Sequence, residues 1–150
     1  MVAIIPDINV DLPLEARIPA FFEPSKEKRI ELYHEWALID DLEELNNAQA
    51  ELAKAGALPK ALENLFTILR LKIFGRKILL KGIDTISGFG PAAEQTVVIT
   101  PSAPLSPKQF AKMLDIAPLW EYSTEEIKIK RSDLGSDWLK KLEASIKNLI

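Results

Sequence analysis

A chain of 150 residues, 47% hydrophobic and 27% charged, is long enough to bury the core of one domain. Its net charge of −3 lacks the basic excess of a dedicated nucleic-acid or acidic-membrane binder, leaving only a local patch for such a role. The absence of cysteine excludes disulfides, thiolate metal sites and cysteine nucleophiles. No run of about 18 apolar residues suggests a transmembrane helix. The N-terminus has an apolar start but neither a basic region nor a cleavage site, so no signal peptide is read and a cytoplasmic location is expected.

Near the N-terminus Ile8, Val10, Leu12 and Leu14 are apolar at every second position, which is strand spacing. Pro6, Pro13 and Pro19 cannot donate ladder hydrogen bonds, so the segment reads as an edge strand or extended arm. Ser25 is placed to cap a helix to about Ile39, with Ile30, Tyr33, Trp36 and Ala37 as its apolar stripe. Asp40 followed by Glu43 resembles a capping box for a second helix burying Leu42, Leu45, Ala48 and Leu52, with Gly56 as its stop. Pro59 suits the first turn of a third helix, whose wide apolar face is Leu62, Leu65, Phe66, Leu69 and Ile73 and whose end is read at Gly75.

The segment from Lys77 to Ser87 reads as a strand kinked at Gly82, followed by a loop at Gly88–Pro91. The β-branched run Thr96–Thr100 reads as a strand, and Ser106 with Pro107 opens a short helix over Phe110, Met113 and Leu114. Trp120–Arg131 reads as another strand. A last helix from about Gly135 to Ile150 aligns Trp138, Leu142, Ile146 and Leu149. The expected fold is therefore α+β: an extended arm, three helices, then a small mixed sheet of about three to four strands with two further helices. Residues 1–150 are expected to form a single domain.

Chemistry-bearing residues are few. His34 has Ile30 and Leu38 at helical spacing, neither able to ligate a metal, so it reads as a helix-surface histidine. Gly88–Ala93 matches a dinucleotide fingerprint literally, but a strand follows where the pyrophosphate-binding helix would have to begin. The carboxylates Asp40, Asp41, Glu43 and Glu44 sit at a helix start, where exposed amides favour negative charge without any metal. Ser102, Ser106 and Ser145 have no base nearby and no nucleophile elbow. Catalytic, metal-binding and cofactor residues are accordingly expected to be none. Arg70, Lys72, Arg76, Lys77 and Lys81 form a basic stretch. A helix C-terminus favours such cations, and the first four are candidate phosphate contacts. With the acidic second helix, the stretch suggests a dipolar surface suited to a protein partner.

Three groups of residues carry a resemblance. They are Ile18-Pro19-Ala20-Phe21-Phe22 in the arm, Arg29-Ile30-Glu31-Leu32-Tyr33 in the first helix, and Glu51-Leu52 followed by Gly56-Ala57-Leu58-Pro59. Together they resemble the C-terminal domain of the bacterial transcription-repair coupling factors, the Mfd family, over roughly the first half of the chain. The resemblance implies a non-catalytic regulatory domain excised from a longer chain whose translocase lies elsewhere. It implies docking on the UvrB-like module of the same chain, masking the surface that recruits UvrA until stalled RNA polymerase is engaged. Glu51, Leu52, Gly56, Leu58 and Pro59 are the implied contact residues, Glu51 matching one of two family acidic positions. The second acidic residue and the family's Arg-Phe pair have no counterpart, because the chain reads Ala53-Lys54-Ala55 and is one residue shorter. Two alternatives stand beside this reading: a free-standing interaction adaptor, and a weak nucleic-acid-binding module using the basic stretch.

Overall fold

The computed structural model describes residues 8–87, 94–104, 106–116, 120–123 and 125–148. By its internal contacts the chain divides into two compact units, one holding residues 14–73 and the other residues 8–13 together with 74–150.

In the first unit, α1 (Lys26–Ala37) starts as expected: Ser25 caps it by accepting from the Lys28 amide at 3.3 Å. The predicted stripe of this helix divides. Trp36 is buried, its ring 4.7 Å from that of Phe66, whereas Ile30 and Tyr33 stay 49% and 39% exposed. Leu32 and Ala37, with Trp36, supply the contacts to the core.

Helix α2 (Leu42–Ala53) is capped by Asp41 rather than by Asp40. The Asp41 carboxylate accepts from the Glu43 amide at 3.1 Å, so the capping pattern lies one residue later than the spacing of Asp40 and Glu43 suggested. Leu45 is fully buried, and Ala48 and Leu52 pack partly buried against the same cluster.

Helix α3 (Lys60–Lys77) begins immediately after Pro59, whose carbonyl accepts from the amides of Leu62 and Glu63. Leu62, Leu65, Phe66, Leu69 and Ile73 are buried, as the periodicity predicts. Gly75 does not end this helix. It is a buried interior residue, and a Cβ there would stand 3.0 Å from Ile8 Cδ1, so its bareness serves close packing rather than termination. The chain leaves the helix through Leu79, which holds a left-handed φ of 60°.

The second unit is built on a five-stranded mixed sheet in the order β1-β2-β3-β5-β4. These strands are β1 (Asn9–Val10), β2 (Leu80–Ser87), β3 (Gln95–Pro101), β4 (Glu121–Tyr122) and β5 (Ile127–Lys130). The arm does supply an edge strand, pairing parallel to β2. Asp11 N–H to the Ile83 carbonyl and Asn9 Nδ2 to Asp84 Oδ1 extend that attachment. A register shift between Leu80 and Gly82 marks the expected kink.

Register explains the core. Val10, Ile83, Ile99, Ile127 and Tyr122 are successive partners across all five strands, and Thr85, Val97 and Ile129 form the adjacent row. These two rows project from one face. Ile83, Val97, Ile99, Ile127 and Ile129 in them are buried.

The sheet exceeds the expected strand number because Trp120–Arg131 is not one strand. A turn divides it, with the Ser123 amide donating to the Glu126 carbonyl and the Ser123 hydroxyl accepting from the Glu126 amide. Helix α4 (Pro107–Ile116) opens on a reciprocal cap, in which Ser106 Oγ accepts from the Gln109 amide and Gln109 Oε1 accepts from the Ser106 amide. Among its described side chains Met113 is buried, while Leu114 stays exposed.

The expected last helix is α6 (Trp138–Lys147), and a single unexpected turn, α5 (Arg131–Leu134), precedes it at the end of the expected long strand, the two being separated at Gly135 with φ of 80°. Leu142 and Ile146 of α6 are buried. The Gly88–Ala93 fingerprint and Leu149 lie outside the described residues.

Candidate interaction site

The five residues singled out as contacts all lie in the first unit, at the end of α2 and the turn into α3. Glu51 stands on the last turn of α2 with its side chain 71% exposed, paired to Lys54 Nζ at 2.8 Å. Leu52 and Leu58 face the other way, partly buried against the cluster of Trp36, Leu45, Leu62 and Phe66. They anchor the corner instead of forming its outer surface. Between them the Ala55 amide donates to Leu52, and the Gly56 amide to Ala53. Gly56 then takes φ of 141°, a backbone state that L side chains rarely adopt, with open space where a Cβ would point. Pro59 follows as the residue whose carbonyl receives the first amides of α3. The result is a carboxylate held on the outside of a fixed corner, with Lys60 and Glu63 paired at 3.8 Å on the first turn of α3.

The basic stretch is distributed differently. Arg70 donates to Gln49 Oε1 at 2.6 Å and to Thr67 Oγ1 at 3.0 Å, so its guanidinium ties α3 to α2. Lys72 falls in the first unit, and Arg76 and Lys77 in the second. Among the described residues no group of three or more His, Asp or Glu side chains could hold a metal ion, and no helix is long and apolar enough to cross a membrane. His34 is exposed on α1, edge-on to Tyr33. The carboxylate cluster at residues 40–44 is used locally, Asp41 as the helix cap.

Two features escaped the sequence reading. One is an open polar cleft of about 700 Å³ in the second unit, lined by Ser87, Glu94, Gln95, Arg131, Ser132 and Trp138. There the Glu94 carboxyl is held below its ordinary pKa, first by hydrogen bonds from Ser132 and then by the charges of Lys130 and Arg131. Arg131 also donates to Gln95 and stacks 5.5 Å from the Trp138 ring centre. The other is an apolar groove beside α1, where the exposed Ile30 and Tyr33 lie. Its only sequence signal was the surplus of apolar positions on a helix that buries just one of them completely.

The architecture defines a protein of the α+β class with a five-stranded mixed sheet and an exposed, fixed helical corner. A solved structure, the crystal structure of the C-terminal domain of a transcription-repair coupling factor, shares this fold with a TM-score of 0.72. The likeness covers 95% of this chain and 91% of that one at 16% identity. The family model of the TRCF domain matches residues 12–101, and the chain belongs to that family. The match extends past α3 through β3. The transcription-repair-coupling factor of Bacillus subtilis (strain 168) is 29% identical over 72 residues, which is 47% of this chain. That alignment spans about 6% of the curated relative's length.

Proposed function

We propose that this chain serves as a non-catalytic regulatory domain of a longer transcription-repair coupling factor, residues 1–150 acting together in that role. It docks on the UvrB-like module of the factor and masks the surface that recruits UvrA. Engagement of stalled RNA polymerase releases the contact, and the site of action is the cytoplasm.

The observation that carries this reading is the corner at Glu51. Its carboxylate is exposed, while Leu52 and Leu58 fix the backbone beneath it by packing inward. A charge presented on an already ordered surface loses little entropy when it docks. The Lys54 ammonium shares that carboxylate through an exposed pair, which a cationic partner can displace at small cost. Lys54 stands in the stretch where the family's second acidic residue is missing, so Glu51 carries the acidic contact from this turn. The basic stretch is a weaker basis for function, because the Arg70 guanidinium is already engaged by Gln49 and Thr67.

The masking is a coupling between two binding events and is tested by competition. UvrA binding to the isolated UvrB-like module is measured with and without saturating amounts of this chain. A fall in apparent affinity of roughly 5–150-fold, the span of ordinary coupling energies, is expected. UvrA affinity unchanged by the chain would remove the regulatory role.

A further inference from the structure

The groove beside α1 lies wholly within the first unit and has an apolar floor with a cationic rim. It has a volume of about 440 Å³ and is lined by Ala16, Ile18, Ile30, Tyr33 and Leu65, with Arg17, Lys26, Arg29 and His34 around them. That volume falls inside the ~300–1,000 Å³ range of binding pockets.

Both walls are held in place by hydrogen bonds within the chain. The arm is tied to α3 by the Arg17 amide donating to the Ala61 carbonyl at 3.1 Å and by Asn64 Nδ2 donating to the Glu15 carbonyl at 2.9 Å. The start of α1 is fixed by Arg29, which donates to the carbonyls of Glu23 and Pro24.

Charge is sorted around α1. Residues 26, 29, 30, 33 and 34 follow helical spacing and share one stripe, the one that meets the groove. Glu27, Glu31 and Glu35 recur every four residues on another stripe, roughly 130° around the helix. Among the described residues no carboxylate lines the groove. Arg17 is neutralised by its pair with Glu15, but among the described residues Arg29 donates to uncharged carbonyls, so its charge persists beside that of Lys26. A cationic, apolar groove on a chain of net charge −3 is a local inversion of the whole.

We propose that this groove is a second protein-docking site, which takes an acidic peptide segment carrying aliphatic or aromatic anchors. The anchors enter between Ile30, Tyr33 and Leu65, and the carboxylates meet Lys26 and Arg29. Tyr and Arg are the residue types that dominate such contacts. The site shares no residue with the Glu51 corner and does not depend on the docking proposed there.

The test uses a short fluorescein-labelled amphipathic peptide with Leu and Phe on one face and Glu on the other, and its counterpart with every Glu changed to Lys. Fluorescence anisotropy is read against the whole chain. The Glu peptide is expected to bind and the Lys peptide to bind at least about tenfold more weakly, with affinity falling as salt rises. Lys26→Glu and Ile30→Asp change exposed side chains and keep the fold, which circular dichroism verifies. Each is expected to weaken the Glu peptide about tenfold or more, as loss of one anchoring contact does. Glu51→Arg should leave this binding unchanged. Equal affinity for the two peptides, or indifference to both groove variants, would overturn the proposal. Equally tight binding of a labelled oligonucleotide, which carries phosphates but no aliphatic anchor, would also overturn it.

Discussion

Single residues set the corner on which the functional reading rests. Gly56 holds φ of 141° with nothing within 4 Å of the position a Cβ would take. An alanine there meets no steric obstacle and pays only in backbone conformation. Gly56→Ala should therefore lower stability by about 1–3 kcal/mol, readable as a shift in the urea midpoint with an unchanged slope. An unaltered midpoint would mean the turn relaxes freely. Leu79 presents the converse case: it is a leucine at φ of 60° and is 69% exposed. Leu79→Gly gives up little packing and relieves the left-handed strain, partly offset by added freedom in the unfolded chain. A net gain of up to ~1 kcal/mol is expected in the same denaturation experiment.

Helices and strands show where local rules settled the outcome and where tertiary contacts did. The helix cap is a case of the first kind displaced by one position. Asp40 and Asp41 are adjacent carboxylates, and spacing alone favoured the one three residues before Glu43. The geometry uses Asp41, so Asp41→Ala should cost about 1 kcal/mol and Asp40→Ala less, compared by thermal unfolding. Tyr122 links two elements, its hydroxyl donating to the Met113 carbonyl at 2.8 Å. Burial pushes its pKa up to about 12. The folded state thus favours the neutral phenol, and this contribution is complete below the unfolded value near 10. It is lost as pH rises from about 10 through about 12. A tyrosinate absorbance titration in a Tyr33→Phe background should show ionisation near 12, and an ordinary midpoint would refute the burial.

The elements legible in the sequence were those whose signals are local. Ser25 and Ser106 mark helix starts, and the apolar face of α3 follows from its periodicity alone. The arm as an edge strand followed from its prolines. Gly75 misled because glycine in a helix marks either an end or a close approach, and only the position of Ile8 distinguishes them. The hairpin inside residues 120–131 was hidden because the Ser123 turn carries neither glycine nor proline among its described residues. Ile30 and Tyr33 share the apolar stripe of α1 with Trp36 yet stay exposed, because periodicity identifies a stripe but not what covers it. Among the five corner residues, the division between inward Leu52 and Leu58 and outward Glu51 needed the fold.

At the scale of the whole molecule, the fold and the family agree, and the proposed docking surface is the part to be tested. The chain belongs to the TRCF domain family and shares the fold of a coupling-factor C-terminal domain. In the proposed reading, the end of its second helix offers one acidic contact, Glu51, where the resemblance implies two. Glu51 therefore bears the electrostatic part of the proposed contact. Its pair with Lys54 is exposed and contributes only about 0–1 kcal/mol to folding, so reversing its charge perturbs binding with little effect on stability. The most direct measurement is isothermal titration calorimetry of this chain against the UvrB-like module encoded in the same genome. It is performed with the wild-type sequence and with Glu51→Arg, while thermal unfolding of both chains is monitored in parallel. Saturable one-to-one binding, weakened about tenfold or more by Glu51→Arg at an unchanged melting temperature, is predicted. Absence of binding by the wild-type chain, or equal affinity of the two chains, would contradict the assignment.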